Sequence, residues 1–290
     1  MILQVTYMSG AGNLFTVIDN SKYRITKDQA AILAPILCNI NDYNPRKTEG
    51  LILIDKSADD LFDFSVDFYN PDGSNDAMCG NGGRCAVAYA LQSPSIPLFN
   101  SNTFTMACSQ YNFDIDGDQI TLYFPEPKAY IRDITLSLEN SSIRGEFVDV
   151  GSKHFVANFS EINTLSNTDF REFNIDKIAV PIRHHTEFAP NGVNVNIYQI
   201  LDNNIVNLRT FERGVEFETG ACGTGAISTA FSIVQNDLLN FPICIIPPSG
   251  EKLIVDRITG TDSTTFALKG PATILELAEI NINPSLFNFE

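Results

Sequence analysis

The chain has few positive charges and no long apolar run. Its 290 residues carry 19 Lys and Arg against 35 Asp and Glu, for a formal net charge of −16. This balance argues against nucleic-acid binding, which requires a basic face opposite the phosphates. The longest apolar candidate, Ala30–Cys38, is interrupted by Pro35 and is much shorter than the roughly 20 residues that cross a bilayer. Neither a nucleic-acid nor a membrane partner is expected.

Cysteines and histidines are too few and too scattered for a metal or disulfide framework. The six cysteines lie at positions 38, 79, 85, 108, 222 and 244, none in a Cys-x-x-Cys pair, and there are only three histidines. A zinc site is therefore not expected. No Gly-x-Gly-x-x-Gly follows a predicted strand, which argues against a dinucleotide-binding enzyme. The opening segment Met1–Tyr7 lacks a basic region and a cleavage pattern, so it predicts a β-strand and a cytoplasmic protein.

Hydrophobic patterning predicts an α+β fold made of two similar halves. Residues 1–127, completed by 272–290, are expected to form the first half, and residues 128–271 the second, with Pro125-Glu126-Pro127 near the boundary. Strands are predicted at 63–69, 193–200, 205–212 and 243–246, with a hairpin at 113–124 turning at Asp116-Gly117. Helices are predicted at Lys27–Asn39, Gly83–Leu91 and Thr224–Gln235.

Two segments about half the chain apart resemble each other. Each consists of Cys-Gly-polar-Gly followed by small residues, Cys79-Gly80-Asn81-Gly82 in the first half and Cys222-Gly223-Thr224-Gly225 in the second. A helix that begins at such a turn offers unpaired N–H groups to an anion and favours a thiolate. If the halves are a duplication, the two thiols would face each other across a cleft. Facing thiols suit removal of a proton from one face of a carbon and its return on the other.

The paired motifs, with others, resemble the diaminopimelate epimerase family. The additional matching segments are Met8–Asn13, Tyr69–Ser74, Pro190–Asn196 and Phe211–Thr219. The resemblance implies two pseudo-symmetric α/β domains from an internal repeat, each a barrel-like sheet around a central helix. It implies epimerisation of LL- and meso-diaminopimelate, for lysine and peptidoglycan synthesis, in a homodimer. Neither pyridoxal phosphate nor a metal is expected.

The same resemblance assigns roles to individual residues. Cys79 and Cys222 would be the catalytic acid and base. His154 and Glu212 would tune the thiols, and Arg213 together with Glu212 would meet the distal amino-acid group of the substrate. The remaining substrate-binding positions would be Asn13, Asn70, Gly80, Asn81, Asn194, Gly223 and Thr224.

Other positions depart from the family pattern and keep alternatives open. Leu14 follows Asn13 where the family has aspartate, and the further departures are at Glu49, Lys153 and Phe217. One alternative is a racemase or isomerase of the same fold acting on another amino acid, such as histidine. Another is a non-catalytic amino-acid-binding paralogue, although binding alone needs no thiol.

Overall fold

The computed structural model describes residues 1–75, 78–96, 100–139, 141–162, 168–202, 204–260 and 264–283. The chain forms two compact units: unit 1 comprises Met1–Leu122 with Gly270–Glu290, and unit 2 comprises Tyr123–Lys269. None of the helices formed by the described residues combines the length and apolar character needed to cross a membrane.

Fifteen β-strands account for most of both units. Unit 1 contains β1 Ile2–Gly10, β2 Asn13–Asp19, β3 Leu51–Lys56, β4 Phe64–Tyr69, β5 Thr103–Met106, β6 Ser109–Asp116 and most of β7 Gln119–Pro125. Unit 2 contains β8 Ala129–Leu138, β9 Ser141–Asp149, β10 Lys153–Asn158, β11 Asn194–Asp202, β12 Ile205–Phe211, β13 Ile243–Ile246 and β14 Leu253–Thr259. The last strand, β15 Thr264–Asn281, contributes its first part to unit 2 and the rest to unit 1.

Strand pairing repeats from one unit to the other. In unit 1, β15 pairs antiparallel with β1, and β1 to β7 follow in order; of the pairs from β1–β2 to β6–β7, as formed by the described residues, β2–β3 and β4–β5 are parallel. Because β15 also neighbours β7, this ring of eight strands closes into a barrel. In unit 2 the order runs from β8 to β15, and among the pairs formed by its described residues β10–β11 and β12–β13 are parallel. The parallel pairs fall at equivalent places, as an internal repeat requires.

Helices make the crossovers that these parallel pairs need. They are α1 Lys27–Cys38, α2 Gly80–Ala90, α3 Asp176–Arg183 and α4 Gly223–Gln235. In unit 1, α1 connects β2 to β3 and α2 connects β4 to β5; in unit 2, α3 and α4 occupy the same two positions.

The second helix of each unit lies inside its sheet. Helix α2 is buried from Gly80 to Ala88 and contacts β1 to β4. Helix α4 is buried from Gly223 to Ile233 and contacts β9 to β14. Both helices can be so buried because their sequences consist largely of small and apolar residues. The predicted fold class, two similar α/β halves that each enclose a helix, is confirmed.

Several local predictions are confirmed within a few residues. Helices α1 and α4 match their predicted spans, α2 begins three residues earlier than predicted, and the hairpin turns after Asp116 as expected. The segment from Ala272 onward, for which the sequence favoured a strand returning to the first half, pairs with β1. Helix α3 and the hairpin of β8 and β9 were not predicted.

Candidate active site

Each repeated cysteine is the N-cap of the helix inside its unit. Cys79 precedes α2 and its Sγ accepts a hydrogen bond from the backbone N–H of Gly82 at 3.3 Å. Cys222 precedes α4 and its Sγ accepts from the N–H of Gly225 at 3.4 Å. Both cysteines have extended backbone dihedrals, as N-cap residues do. Each sulfur therefore lies at the positive end of a helix dipole, where negative charge is stabilised.

A buried histidine contacts the first turn of α4 in unit 2. His154 is 0% exposed on β10, and its Nε2 lies 2.8 Å from Oγ of Ser152 and 3.1 Å from Oγ1 of Thr224. Oγ1 of Thr224 is in turn 3.6 Å from Sγ of Cys222. Burial lowers the pKa of His154 to about 3, so the ring is neutral at physiological pH. The histidine thus reaches the thiol through one hydroxyl group and not as a nearby cation.

Asn196 fixes the orientation of this histidine, and sequence reasoning did not assign it a role. The side chain is fully buried on β11, and its Nδ2 donates to Nδ1 of His154 at 2.9 Å. Nδ1 is therefore the acceptor, which leaves the ring proton on Nε2, where both Oγ of Ser152 and Oγ1 of Thr224 lie within hydrogen-bond distance. Thr210 donates to Oδ1 of Asn196 at 2.9 Å from the neighbouring strand β12. The signal was present, because Asn194 and Asn196 alternate on one strand and so project to the same face.

Glu212 lies beside the thiol of unit 2. Its carboxyl group hydrogen-bonds to the side chains of Thr219 and Cys222. Burial raises the pKa of Glu212, while these two hydrogen bonds lower it. A carboxyl group with a raised pKa next to a thiol can accept and return the thiol proton.

Asn194 and Arg213 lie near His154 and Cys222, but the side chain of Asn194 hydrogen-bonds to backbone atoms of the protein. Its Oδ1 accepts from the backbone N–H of Arg213 at 2.9 Å, and its Nδ2 donates to the carbonyl of Lys153 at 3.0 Å. Asn194 therefore positions the turn that carries Arg213. The guanidinium of Arg213 is exposed and forms no ion pair with the residues that the structure describes.

The first turn of α2 in unit 1 is packed closely against strand β1. Gly80 and Asn81 are buried there, and Oδ1 of Asn81 accepts from Nη2 of Arg84 at 2.6 Å. A Cβ placed on Gly10 of β1 would come within 2.6 Å of the Asn81 carbonyl oxygen. Only glycine permits this approach of strand to helix.

Asn13 and Asn70 lie at turns of unit 1. Asn13 is 4% exposed at the start of β2, opposite Gly10 of β1. Asn70 follows β4, and its Nδ2 donates to Oγ of Ser74 at 2.9 Å, closing the turn that leads towards Cys79. Residues 76–77, between this turn and Cys79, lie outside the described part of the chain.

The positions that depart from the family pattern have local backbone roles. The N–H of Glu49 donates to the carbonyl of Leu14 at 2.7 Å, ahead of the pairing of β2 with β3. The carbonyl of Phe217 accepts from the N–H of Glu212 at 3.2 Å. Lys153 supplies the carbonyl that holds Asn194. These bonds use main-chain atoms of the departing residues, so they place no requirement on their side chains.

The structure brings seven of these polar residues together within unit 2: His154, Asn194, Asn196, Glu212, Arg213, Cys222 and Thr224. Gly223 lies within the first turn of α4, between the last two. In unit 1, Gly80 and Asn81 adjoin Cys79 in the first turn of α2.

In sequence, the chain is similar to diaminopimelate epimerases. The family model described as diaminopimelate epimerase matches residues 5–108. The chain is 33% identical to a diaminopimelate epimerase of Hydrogenobaculum sp. (strain Y04AAS1), over 93% of this chain and 95% of that one. It is 34% identical to a diaminopimelate epimerase of Chlorobaculum tepidum, over 91% of this chain and 96% of the relative.

Solved structures show the same fold at greater distance. A hydroxyproline epimerase from Agrobacterium vitis superposes with a TM-score of 0.69 at 14% identity. The superposition covers 99% of this chain and 97% of the other. At this identity the likeness concerns the fold alone.

Proposed function

This chain belongs to the diaminopimelate epimerase family, and from that membership we propose that it interconverts LL- and meso-diaminopimelate without a cofactor. The observation that carries the proposal is the repeated placement of Cys79 and Cys222 as N-caps of the enclosed helices. Two equivalent thiols in duplicated units are what a two-base proton transfer requires.

In the proposed reaction one cysteine is a thiolate and the other a thiol. The thiolate removes the Cα proton from one face of the substrate and becomes a thiol. The electron pair of the broken C–H bond remains on Cα as a carbanion next to the carboxylate. The second thiol then donates its proton to the opposite face and becomes the thiolate. The configuration at Cα is inverted, no atoms are lost, and the two cysteines have exchanged protonation states.

The helix N-termini would supply the electrostatic stabilisation that this carbanion needs. The N–H groups at Gly80-Asn81 and Gly223-Thr224 would hold the reacting carboxylate, because they lie in the first turns of α2 and α4. Negative charge that develops at Cα and its carboxylate would be met by fixed dipoles.

Recognition of the distal amino-acid group would come from the turn that follows β12. The unpaired guanidinium of Arg213 can form a bidentate contact with a carboxylate. Glu212, one residue away, hydrogen-bonds to Thr219 and Cys222 and would act on the thiol, while Asn194 would position the turn that carries Arg213. Asn13 and Asn70 would hold the remaining polar atoms of the substrate. A substrate with an amino acid at both ends, as in diaminopimelate, uses both the thiol site and this turn.

Deuterium incorporation tests the activity and the substrate together. The protein is incubated in deuterated buffer, without added cofactor, with meso-diaminopimelate or with histidine, glutamate or lysine. We expect the α-proton NMR signal of diaminopimelate alone to disappear. Exchange of histidine without exchange of diaminopimelate would support the alternative of a same-fold racemase, for which the change at Leu14 gives a reason. No exchange with any of the four would favour a binding protein.

Oxidative cross-linking tests whether the two thiols meet. We expect mild oxidation to inactivate the protein by joining Cys79 to Cys222, and reductant to restore activity. Mass spectrometry of the oxidised protein identifies the joined peptides. Inactive protein in which these two cysteines remain separate would contradict action on one carbon.

The assembly and location are proposed to be a homodimer in the cytoplasm. Large apolar side chains stand exposed on neighbouring strands of unit 1: Leu277 is 77%, Ile2 57% and Leu275 47% exposed. Such a face is more typical of an interface than of a monomer surface. Light scattering should give twice the chain mass of 32.0 kDa, and Leu277→Glu should reduce it to the monomer.

A further inference from the structure

Unit 2 contains a cavity that shares no residue with the site assigned to the two thiols. Its volume is about 330 Å³, close to the lower end of small-molecule pockets. The described residues that line it come from β12 and the segment between β12 and α4, from β13 and the turn after it, and from the segment before α3. They are Phe170, Arg171, Asn207, Leu208, Arg209, Glu218, Ile246, Pro247, Pro248 and Gly250.

An unpartnered polar side chain lines this cavity. Asn207 is only 7% exposed, and its side chain forms no hydrogen bond with the part of the chain that the structure describes. Its amide atoms remain accessible, so a ligand in the cavity can hydrogen-bond to them. Asn207 therefore distinguishes this cavity from an ordinary packing defect.

The charges around the cavity favour an anion. The guanidinium of Arg209 is held by Glu218 through two hydrogen bonds of 2.6 and 2.7 Å, and by the carbonyls of Phe170 and Phe173. Arg171 is exposed; its backbone N–H donates to Oδ1 of Asp169 at 2.7 Å, while its guanidinium forms no ion pair with the described residues. The charged residues of the lining, Arg171, Arg209 and Glu218, thus carry one net positive charge.

The remaining surface of the cavity is apolar and rigid. Phe170, Ile246, Pro247 and Pro248 supply hydrophobic area, and the two prolines fix the backbone of one wall. Asn207 and Arg209 project from one face of β12, whereas Thr210, which bonds Asn196 beside His154, projects from the other. The β-sheet thus lies between this cavity and the histidine.

We propose that this cavity binds a small single-ring carboxylate, whose carboxylate meets Arg171 and whose polar substituent hydrogen-bonds to Asn207. The ring would lie against Phe170 and the two prolines. Because the lining is separate from the thiol site, this binding does not depend on the proposed epimerase activity, and a failure of either leaves the other standing.

The test uses the full chain labelled with ¹⁵N and three probes: benzoate, 4-hydroxybenzoate and nicotinate, with 4-hydroxybenzamide as the neutral match. We expect 4-hydroxybenzoate to shift the side-chain amide signals of Asn207 and the N–H of Gly250, with a Kd on the order of millimolar, as for a fragment. The neutral amide should bind about tenfold more weakly, since it loses a charge-assisted hydrogen bond. No saturable shift at these two residues with any of the three carboxylates would overturn the proposal.

Substitutions locate the binding to this cavity. Arg171→Gln, a substitution at the surface, should weaken the binding of 4-hydroxybenzoate about tenfold. Asn207→Leu, which keeps a similar side-chain shape, should remove the part of the affinity that comes from the hydrogen bond to the amide. Arg257→Gln is the matched control, because Arg257 is an exposed arginine of the same unit outside the cavity. Equal weakening by Arg171→Gln and Arg257→Gln would show a non-specific charge effect and contradict the site.

Discussion

Nε2 of His154 lies 3.1 Å from Oγ1 of Thr224, the second residue of helix α4. Since Asn196 donates to the other ring nitrogen, Nε2 carries the ring proton, with the hydroxyls of Thr224 and of Ser152, at 2.8 Å, as its acceptors. The hydroxyl of Thr224 remains able to donate towards the sulfur of Cys222. His154, to which the family resemblance assigns the tuning of the thiols, is thus a neutral hydrogen-bond donor. The distinction has consequences for pH dependence and for mutagenesis.

Loss of the Thr224 hydroxyl should weaken the Cys222 thiolate. Thr224→Val keeps the shape of the side chain but removes the donor, and we expect kcat for epimerisation to fall about ten- to a hundredfold. The limb of the pH–rate profile that reports thiol ionisation should move to higher pH, which a purely structural role would not produce. His184→Gln, at an exposed histidine of the same unit, is the control. An unchanged profile in Thr224→Val would argue against this hydrogen-bond chain.

Burial of His154 makes the stability of the protein depend on pH. With a folded-state pKa of about 3 against 6.5 for the free side chain, the unfolded chain takes up a proton between these values and the folded chain does not. The contribution of His154 to the free energy of unfolding is therefore fully present above pH 6.5 and decreases as the pH falls. At pH 5 the loss from this group is about 2 kcal/mol. Denaturant unfolding of the wild type and His154→Gln at several pH values should show a shallower decline in the variant. Parallel curves would contradict the buried neutral ring.

The contribution of Glu212 to stability changes with pH in the opposite direction. Burial raises its folded-state pKa, so its contribution to stability is present at low pH and is lost as the pH rises through that value. Glu212→Gln should consequently be as stable as the wild type or more stable at pH 7, with the difference disappearing in acid. Its turnover should nevertheless fall about a hundredfold, because the group that exchanges a proton with Cys222 is lost. A variant that was both fully active and unchanged in stability would remove Glu212 from the mechanism.

The two N-terminal turns differ in how much room they leave at their third residue. A Cβ on Gly225 would lie 2.6 Å from Oδ1 of Asn196 and 3.2 Å from Sγ of Cys222, whereas a Cβ on Gly82 meets nothing closer than 3.4 Å. Gly225→Ala should therefore displace both the thiol and the residue that orients His154. We expect activity to drop about a hundredfold in Gly225→Ala and less than about threefold in Gly82→Ala. Equal effects in steady-state assays would mean that the packing around Cys222 has no special importance.

Prediction from the sequence was most successful where one residue type determines the local backbone structure. Glycines after a cysteine predicted both enclosed helices, α2 and α4, and Thr26 forms the capping box with Gln29 that begins α1. Helix α3 was missed because it has only eight residues and contains Pro181, both of which weaken a helical pattern. Strand β8 was missed since most of its residues are exposed, so it has no clear alternation.

At the candidate site, residue types were easier to predict than partners. Cys222, Glu212 and His154 followed from the family resemblance, but their contacts depend on strand register. The parallel pairing of β10 with β11 sets His154 opposite Asn194, and the amide of Asn196 reaches the ring from two residues further along β11. That register depends on the whole sheet, so no short motif could have revealed that Asn196 orients the histidine or that Asn194 holds Arg213.

Single-cysteine variants show whether two thiols take part in one proton transfer. Cys79→Ala and Cys222→Ala are assayed for epimerisation of LL- and meso-diaminopimelate, with Cys108→Ala and Cys244→Ala as controls at the partly or fully exposed cysteines of the same two units. We expect each of the first two variants to lose epimerisation completely and both controls to keep it. Full epimerase activity in either Cys79→Ala or Cys222→Ala would contradict this expectation.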